Sequence, residues 1–313
     1  MLNQALEMLG RFGRSSDASR LAANETQEKL QHLREHGYVI FDHLVGSARL
    51  DLLQADYLDR LENKLEFKTP TLAQSKIDPQ RDADLIASNF FGTPQQLADR
   101  GLTFDRGDIV SYDQAVRDFR PSTLTTAMPD SVDWFDVWLD PKMLPVIEGY
   151  FGFVPHLEEA YIRRNYPSDF VVMNHAWHRD TNHSRHLLKA FVFLNDCTLR
   201  NGPHHYIAGT VLDRKLDGGG YFTEEEVRAH YPAGSERDIV SVVPAGTIIL
   251  EDTRGLHKAG IPEEGYRDLG FATFLPPIAL RRRPALYSLS RKTYMELSED
   301  QRRYVPPQVV PAS

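Results

Sequence analysis

The sequence predicts a mainly β fold, a sandwich or closed barrel preceded by helices, and three observations carry that prediction. From about residue 153 the chain breaks into short apolar runs, and Leu188 to Leu194, Ile239 to Val243, Thr247 to Leu250 and Leu269 to Leu275 are each strand-length and rich in branched or aromatic residues. Gly and Pro punctuate these runs, as turns between many short strands require. The N-terminal third instead shows the three-and-four spacing of helices.

In chain order, Gly37 to Phe41 is a short strand that follows a charged helix. Leu50, Leu53, Tyr57, Leu61 and Leu65 then recur at helical steps after Gly46 and Ser47, which predicts a helix capped by Ser47 that buries one stripe. Residues 68–130 are polar and carry Gly and Pro, so helices and long loops are expected there, with a lid as one use for them. Residues 213–238, with Gly218, Gly219, Gly220 and a helical Thr223 to His230, predict an insertion between strands. A single domain is expected over 1–313: a helical and loop portion at 1–152, a core at 153–280 and a C-terminal extension at 281–313.

At 313 residues, 41% hydrophobic and 26% charged, the chain has ample material for a core. Its net charge of −8, with Lys and Arg scattered among acids, argues against a duplex nucleic-acid surface, because phosphate binding needs concentrated positive charge. The run Arg281-Arg282-Arg283 before Pro284 reads as a solvated turn. One cysteine, Cys197, forbids an internal disulfide, and the charges at Glu7, Arg11, Arg14, Asp17 and Arg20 interrupt any signal or membrane segment at the start. A cytoplasmic protein with no membrane partner is expected.

Half of the twelve histidines lie between 175 and 205, and Asp180 sits among them. In an extended strand alternate side chains share a face, so His178 and Asp180 project together and can hold one metal ion. A His-x-Asp alone is weak evidence, but His257, following the run at Thr247 to Leu250, supplies a third donor. Two imidazoles and one carboxylate on one face of an octahedron leave three open corners, the arrangement that suits Fe(II) oxygenases, whereas zinc hydrolases usually keep one. Arg267, ten residues past His257, can fork two hydrogen bonds to the distal carboxylate of a dicarboxylic keto acid that chelates iron at its other end. The cosubstrates expected are therefore 2-oxoglutarate and O2.

Read in order, Trp177-His-Arg-Asp180, Phe191-Val-Phe-Leu-Asn-Asp-Cys-Thr-Leu-Arg-Asn-Gly-Pro203, Ile207-Ala-Gly-Thr210, Pro244-Ala-Gly-Thr-Ile-Ile-Leu250 and His257 to Arg267 resemble the phytanoyl-CoA dioxygenase superfamily, its ectoine hydroxylases in particular. The likeness extends upstream to Leu33-Arg-Glu-His-Gly-Tyr-Val-Ile40 and Asp140-Pro-Lys-Met-Leu-Pro-Val-Ile-Glu-Gly149, and covers roughly residues 25–276. The resemblance implies a double-stranded β-helix (jelly roll) with N-terminal helices, Fe(II) and 2-oxoglutarate, and it assigns Asn165 to the cosubstrate. Three departures stand out: Ala208-Gly209-Thr210-Val211 lacks the family's usual His, Ala259 replaces a frequent Ser, and His204 and His205 are atypical of their turn. Related halogenases lack the carboxylate ligand, so Asp180 favours hydroxylation or another oxygenase outcome over halogenation; the reaction expected is hydroxylation of a small polar metabolite, with release of succinate and CO2.

Arg179, His183, His205 and Arg254 are expected to face the substrate, with a solvent-facing role as the alternative for each. Two other classes are weighed against the oxygenase: a non-catalytic metal-binding jelly roll, and a cupin-type metalloenzyme that does not use 2-oxoglutarate. The complete triad speaks against the first. No His-x-His followed closely by Glu supports the second, and Arg267 would have no task in it.

Overall fold

In the computed structural model the residues described are 22–64, 67–68, 90–91, 109–119, 123–167, 175–180, 186–213, 215–216, 220–277 and 287–310. A helix over 22–36, α1, leads into strand β1 (Tyr38–Phe41) and helix α2 (Ser47–Asp59), whose stripe Leu50, Leu53 and Tyr57 is buried. Ser47 does not cap that helix. Gly46 holds the cap position in extended backbone and makes no side-chain bond there. Leu61 continues the buried stripe in an irregular turn, and Leu65 lies outside the described residues.

The part of 68–130 that is described contains more sheet than expected. Short strands β2 (Phe67–Lys68), β3 (Phe90–Phe91) and β4 (Ile109–Val110) and helix α3 (Tyr112–Phe119) precede β5 (Thr123–Ala127), which joins the main sheet. Helices α4 (Val132–Trp138) and α5 (Leu144–Phe151) follow, with the Ser131 hydroxyl accepting from Asp133 N at the start of α4.

The remaining strands are β6 (His156–Asn165), β7 (Trp177–His178), β8 (Leu188–Phe193), β9 (His204–Ile207), β10 (Tyr221–Phe222), β11 (Asp238–Val240), β12 (Ile248–Glu251), β13 (His257–Ala259) and β14 (Arg267–Leu275). They form a seven-stranded sheet ordered β1-β12-β8-β14-β6-β5-β3 and a five-stranded sheet ordered β10-β7-β13-β9-β11. Strands β6, β8, β12 and β14 lie in the larger sheet and β7, β9, β11 and β13 in the smaller, and the chain shuttles between the two. This is the double-stranded β-helix, or jelly roll.

Three apolar clusters follow from strand alternation. The outward face of the larger sheet (Ile162, Leu188, Ala190, Val192, Leu250, Ala272) packs against α2, α4 and α5. Between the sheets lie Tyr161, Phe191, Phe193, Ile249, Leu269 and Phe271. Behind the smaller sheet, Trp177, Ile207 and Leu256 meet Val227 and Tyr231 of the insertion. Burial on both faces explains why all nine residues of β14 are inaccessible.

The insertion at 213–238 supplies the edge strand β10 and a helix, α6 (Glu224–His230), that starts on a complete Thr223/Glu226 capping box. The C-terminal segment folds back as helices α7 (Arg291–Glu296) and α8 (Glu299–Arg302), and Tyr287 donates its hydroxyl to Leu157 O at 2.6 Å. Among the described residues, no helix is long and apolar enough to cross a membrane.

Candidate metal centre

Strand β7 is two residues long, and His178 is clamped between Tyr221 of β10 and His257 of β13 in antiparallel register. Register partners share a face, so the His178 and His257 rings lie side by side with centroids 4.1 Å apart. Each imidazole is oriented by its own backbone: His178 Nδ1 faces Ala176 O at 2.9 Å, and His257 Nδ1 faces Gly255 O at 3.0 Å. A carbonyl only accepts, so the proton sits on Nδ1 in both rings and leaves Nε2 bare toward the space between them. Burial lowers the pKa of both rings, which keeps them neutral and able to donate a lone pair.

Asp180 lies beyond the end of β7, not within the same strand as His178 as expected. Its backbone is held by Asp180 N donating to Thr253 O at 2.8 Å, and the side chain turns to the same side as His178. One candidate ligand atom from each of His178, Asp180 and His257 lies within 4.8 Å of the other two. Burial alone would raise the Asp180 carboxyl, but the Lys189 ammonium, 2.5 Å from Oδ2, and His257 hold it well below the usual range. It is a carboxylate at any ordinary pH.

Arg267 and Asn165 are register partners on β14 and β6. Asn165 Nδ2 donates to Thr123 Oγ1 at 2.6 Å, which turns Oδ1 toward Arg267 Nη2 at 3.4 Å. Only 1% of Arg267 is exposed, and its Nε and Nη1 have no hydrogen-bond partner. Burial pulls this guanidinium down to about 10, still a cation at neutral pH. A buried cation without an anion is costly, so its persistence calls for a ligand carboxylate. The triad and Arg267 line one cavity of about 190 Å³, together with Tyr161, Arg163, Lys189, Phe191, His204, Ala259, Leu269 and Phe271.

The donor set and the orphaned guanidinium together fit a divalent ion and a small dicarboxylate. Arg179, by contrast, lies just past the end of β7 and outside that cavity's lining. Its guanidinium donates to the carbonyls of Leu216, Thr210, Arg254 and Asp213, at 2.9, 2.5, 2.8 and 3.1 Å, and so ties the insertion down. His205 also faces away and lines a separate groove beside Trp177, with ring centroids 6.1 Å apart. Arg254 is paired with Asp252 at 2.5 Å and with the Tyr150 hydroxyl at 3.2 Å. These three are not in the cavity lining, and His183 lies outside the described residues.

Sequence reasoning passed over Lys189, which lines the cavity, whereas His204, singled out as atypical of its turn, lines it too. A lone Lys inside the apolar run 188–194 was the available signal for the first. His204 Nε2 lies 3.1 and 3.0 Å from the two oxygens of Glu251, a carboxyl whose pKa burial pushes well up.

No family model matches the chain, and no curated protein matches it. Solved structures do. The non-heme alpha ketoglutarate dependent carbocyclase SnoK from nogalamycin biosynthesis superposes with a TM-score of 0.54 at 15% identity, covering 93% of this chain and 96% of its own. The epimerase SnoN, in complex with Fe3+, alpha ketoglutarate and nogalamycin RO, gives 0.53 at 16% identity, covering 84% of this chain and 87% of its own. At such identities the likeness is one of fold, the jelly roll described above.

Proposed function

We propose that the chain is an Fe(II)- and 2-oxoglutarate-dependent oxygenase that hydroxylates a small polar molecule and releases succinate and CO2. The observation that carries this reading is the buried Arg267 guanidinium, with two donors unmet, in the same cavity as the His178, Asp180 and His257 donor set. A zinc hydrolase or a simple metal store would have no use for it. SnoK and SnoN are alpha ketoglutarate dependent on the same fold, which accords with that cosubstrate.

Ferrous iron would be held by His178, His257 and Asp180, and would supply the O2-activating redox chemistry that no side chain offers, with 2-oxoglutarate as reductant. The protein's part is placement. Nε2 of both imidazoles is kept unprotonated by the Nδ1–H bonds to the chain, and Asp180 is kept ionised. Arg267 receives the far carboxylate in a forked pair, with Asn165 fixing the guanidinium's edge. Phe191, Leu269 and Phe271 form an apolar wall that excludes water and strengthens that pair.

Two experiments test the reading. Adding 2-oxoglutarate to the anaerobic Fe(II) protein should produce a metal-to-ligand charge-transfer band, and Arg267→Met should weaken 2-oxoglutarate binding roughly 30-fold or more, the cost of truncating one member of a buried charge pair. Undiminished affinity in that variant would remove the central support. Asp180→Ala should abolish calorimetric Mn(II) binding, and retention of wild-type affinity would strike Asp180 from the donor set.

A further inference from the structure

Of the cavity-lining residues on strands of the smaller sheet, His204 is the one polar group outside the metal donor set. It is the register partner of Ala259 across β9 and β13, and both side chains line the cavity. Ala259 lies two residues past His257 on the same face, about 7 Å along the strand. After burial, Arg267 and His178 are the groups that act most strongly on the His204 ring, so the imidazole is within reach of both ends of the cavity. A keto acid that chelates a metal at one end and meets Arg267 at the other has to pass this rung. Ala259 has only a methyl group to offer it.

The imidazole is held in place from two sides. Its ring lies against Phe191, with centroids 5.1 Å apart and planes 32° from parallel. Nε2 stands 3.1 and 3.0 Å from the two oxygens of Glu251, a side chain that is 1% exposed. Burial makes that carboxyl an acid whose hydrogen needs an acceptor, and Nε2 is the atom both oxygens face. Committing Nε2 to accept puts the ring's own hydrogen on Nδ1. Nδ1 has no hydrogen-bond partner among the described residues, and unlike the Arg267 nitrogens it is not sealed in protein. The ring therefore presents an unused donor to the space it lines.

We propose that His204 is a cosubstrate-binding residue: its Nδ1–H donates to an oxygen of bound 2-oxoglutarate at the rung where Ala259 can donate nothing. The inference rests on the oxygenase reading above. A hydrogen bond to an ionised acceptor is about twice as strong as a neutral one. Glu251 and Phe191 hold the donor before the ligand arrives, which spares the cost of ordering it on binding.

Glutamine is the probe, because its amide reaches where Nε2 stands and nothing in it replaces Nδ1. With Mn(II) in place of iron, 2-oxoglutarate is titrated calorimetrically into the full chain as wild type, His204→Gln and His204→Gln/Ala259→Ser. In His204→Gln, Mn(II) affinity should stay within about threefold of wild type while 2-oxoglutarate affinity falls about tenfold. Adding Ala259→Ser returns a hydroxyl from the facing residue and should bring 2-oxoglutarate affinity back to within about threefold. Unchanged 2-oxoglutarate binding in His204→Gln overturns the proposal. So does a joint loss of Mn(II) and 2-oxoglutarate, which a merely structural histidine would give, and so does a loss that Ala259→Ser fails to reduce. A further measurement depends on no variant: in the Zn(II)-loaded wild type, the His204 Nδ1–H proton resonance, identified through its contact with Phe191, should move downfield on adding 2-oxoglutarate, and a resonance that stays put overturns the proposal. If wild-type Mn(II) protein takes up no 2-oxoglutarate, the oxygenase reading itself fails, a result distinct from all of these.

Discussion

His204 shows how much one side chain's direction decides. Burial first, then the nearby Arg267 cation, push its imidazole down to about 3 from an ordinary 6.5, so it is neutral in the folded chain. The unfolded chain takes up that proton below about 6.5 and the folded chain does not until about 3, so this residue's contribution is complete above 6.5 and is lost as pH falls across that window. Urea midpoints measured at pH 7 and pH 5 should differ less in His204→Gln than in wild type. Equal slopes would mean that the imidazole is not buried neutral. The same parity of side chains explains what could be read beforehand. His178, Asp180 and His257 were found because alternation puts donors two apart on one side, and alternation equally turns His205 outward. Lys189 was hidden because a strand's apolar run draws attention away from its one charged member.

At the scale of elements, the ends of β9 and β13 are sewn together by backbone contact. Gly260 N donates to Pro203 O at 2.9 Å, and Gly202, at φ 78°, lies so close that an added Cβ would stand 2.6 Å from Gly260 O and Pro262 N. Gly202→Ala therefore meets both a left-handed backbone and an occupied space, and should cost roughly 1–3 kcal/mol in denaturant unfolding. A wild-type midpoint would show that the two turns are not pressed together. Strands that read as short apolar runs, such as β8, β12 and β14, were legible. Strand β6 was not, because His-Leu-Glu-Glu-Ala-Tyr-Ile-Arg-Arg-Asn carries charges on both faces, Arg163 lining the cavity on one and Arg164 pairing with Asp268 on the other, and that erases the alternating pattern. Strand β5, with three threonines in five residues, gave equally little to read.

For the molecule as a whole, ligands that bind only the folded state add to its stability. With Mn(II) and 2-oxoglutarate each near a hundred times its dissociation constant, each should contribute about 2.7 kcal/mol, seen as two successive rises in melting temperature. Arg267→Met should keep the first rise and lose most of the second. A melting curve indifferent to both additions would count against any such site. One feature of the topology reaches further still. β1 is an edge strand of the larger sheet and pairs with β12, whose residues follow it by roughly two hundred positions, among the most distant contacts a domain makes. On a ribosome moving at about 5–20 residues per second, the nascent β1 waits some ten seconds or more for its partner to emerge. During that interval Tyr38–Phe41 is an unpaired hydrophobic edge, open to neighbouring chains and to chaperones, so the yield of soluble protein should depend on how fast the chain is made.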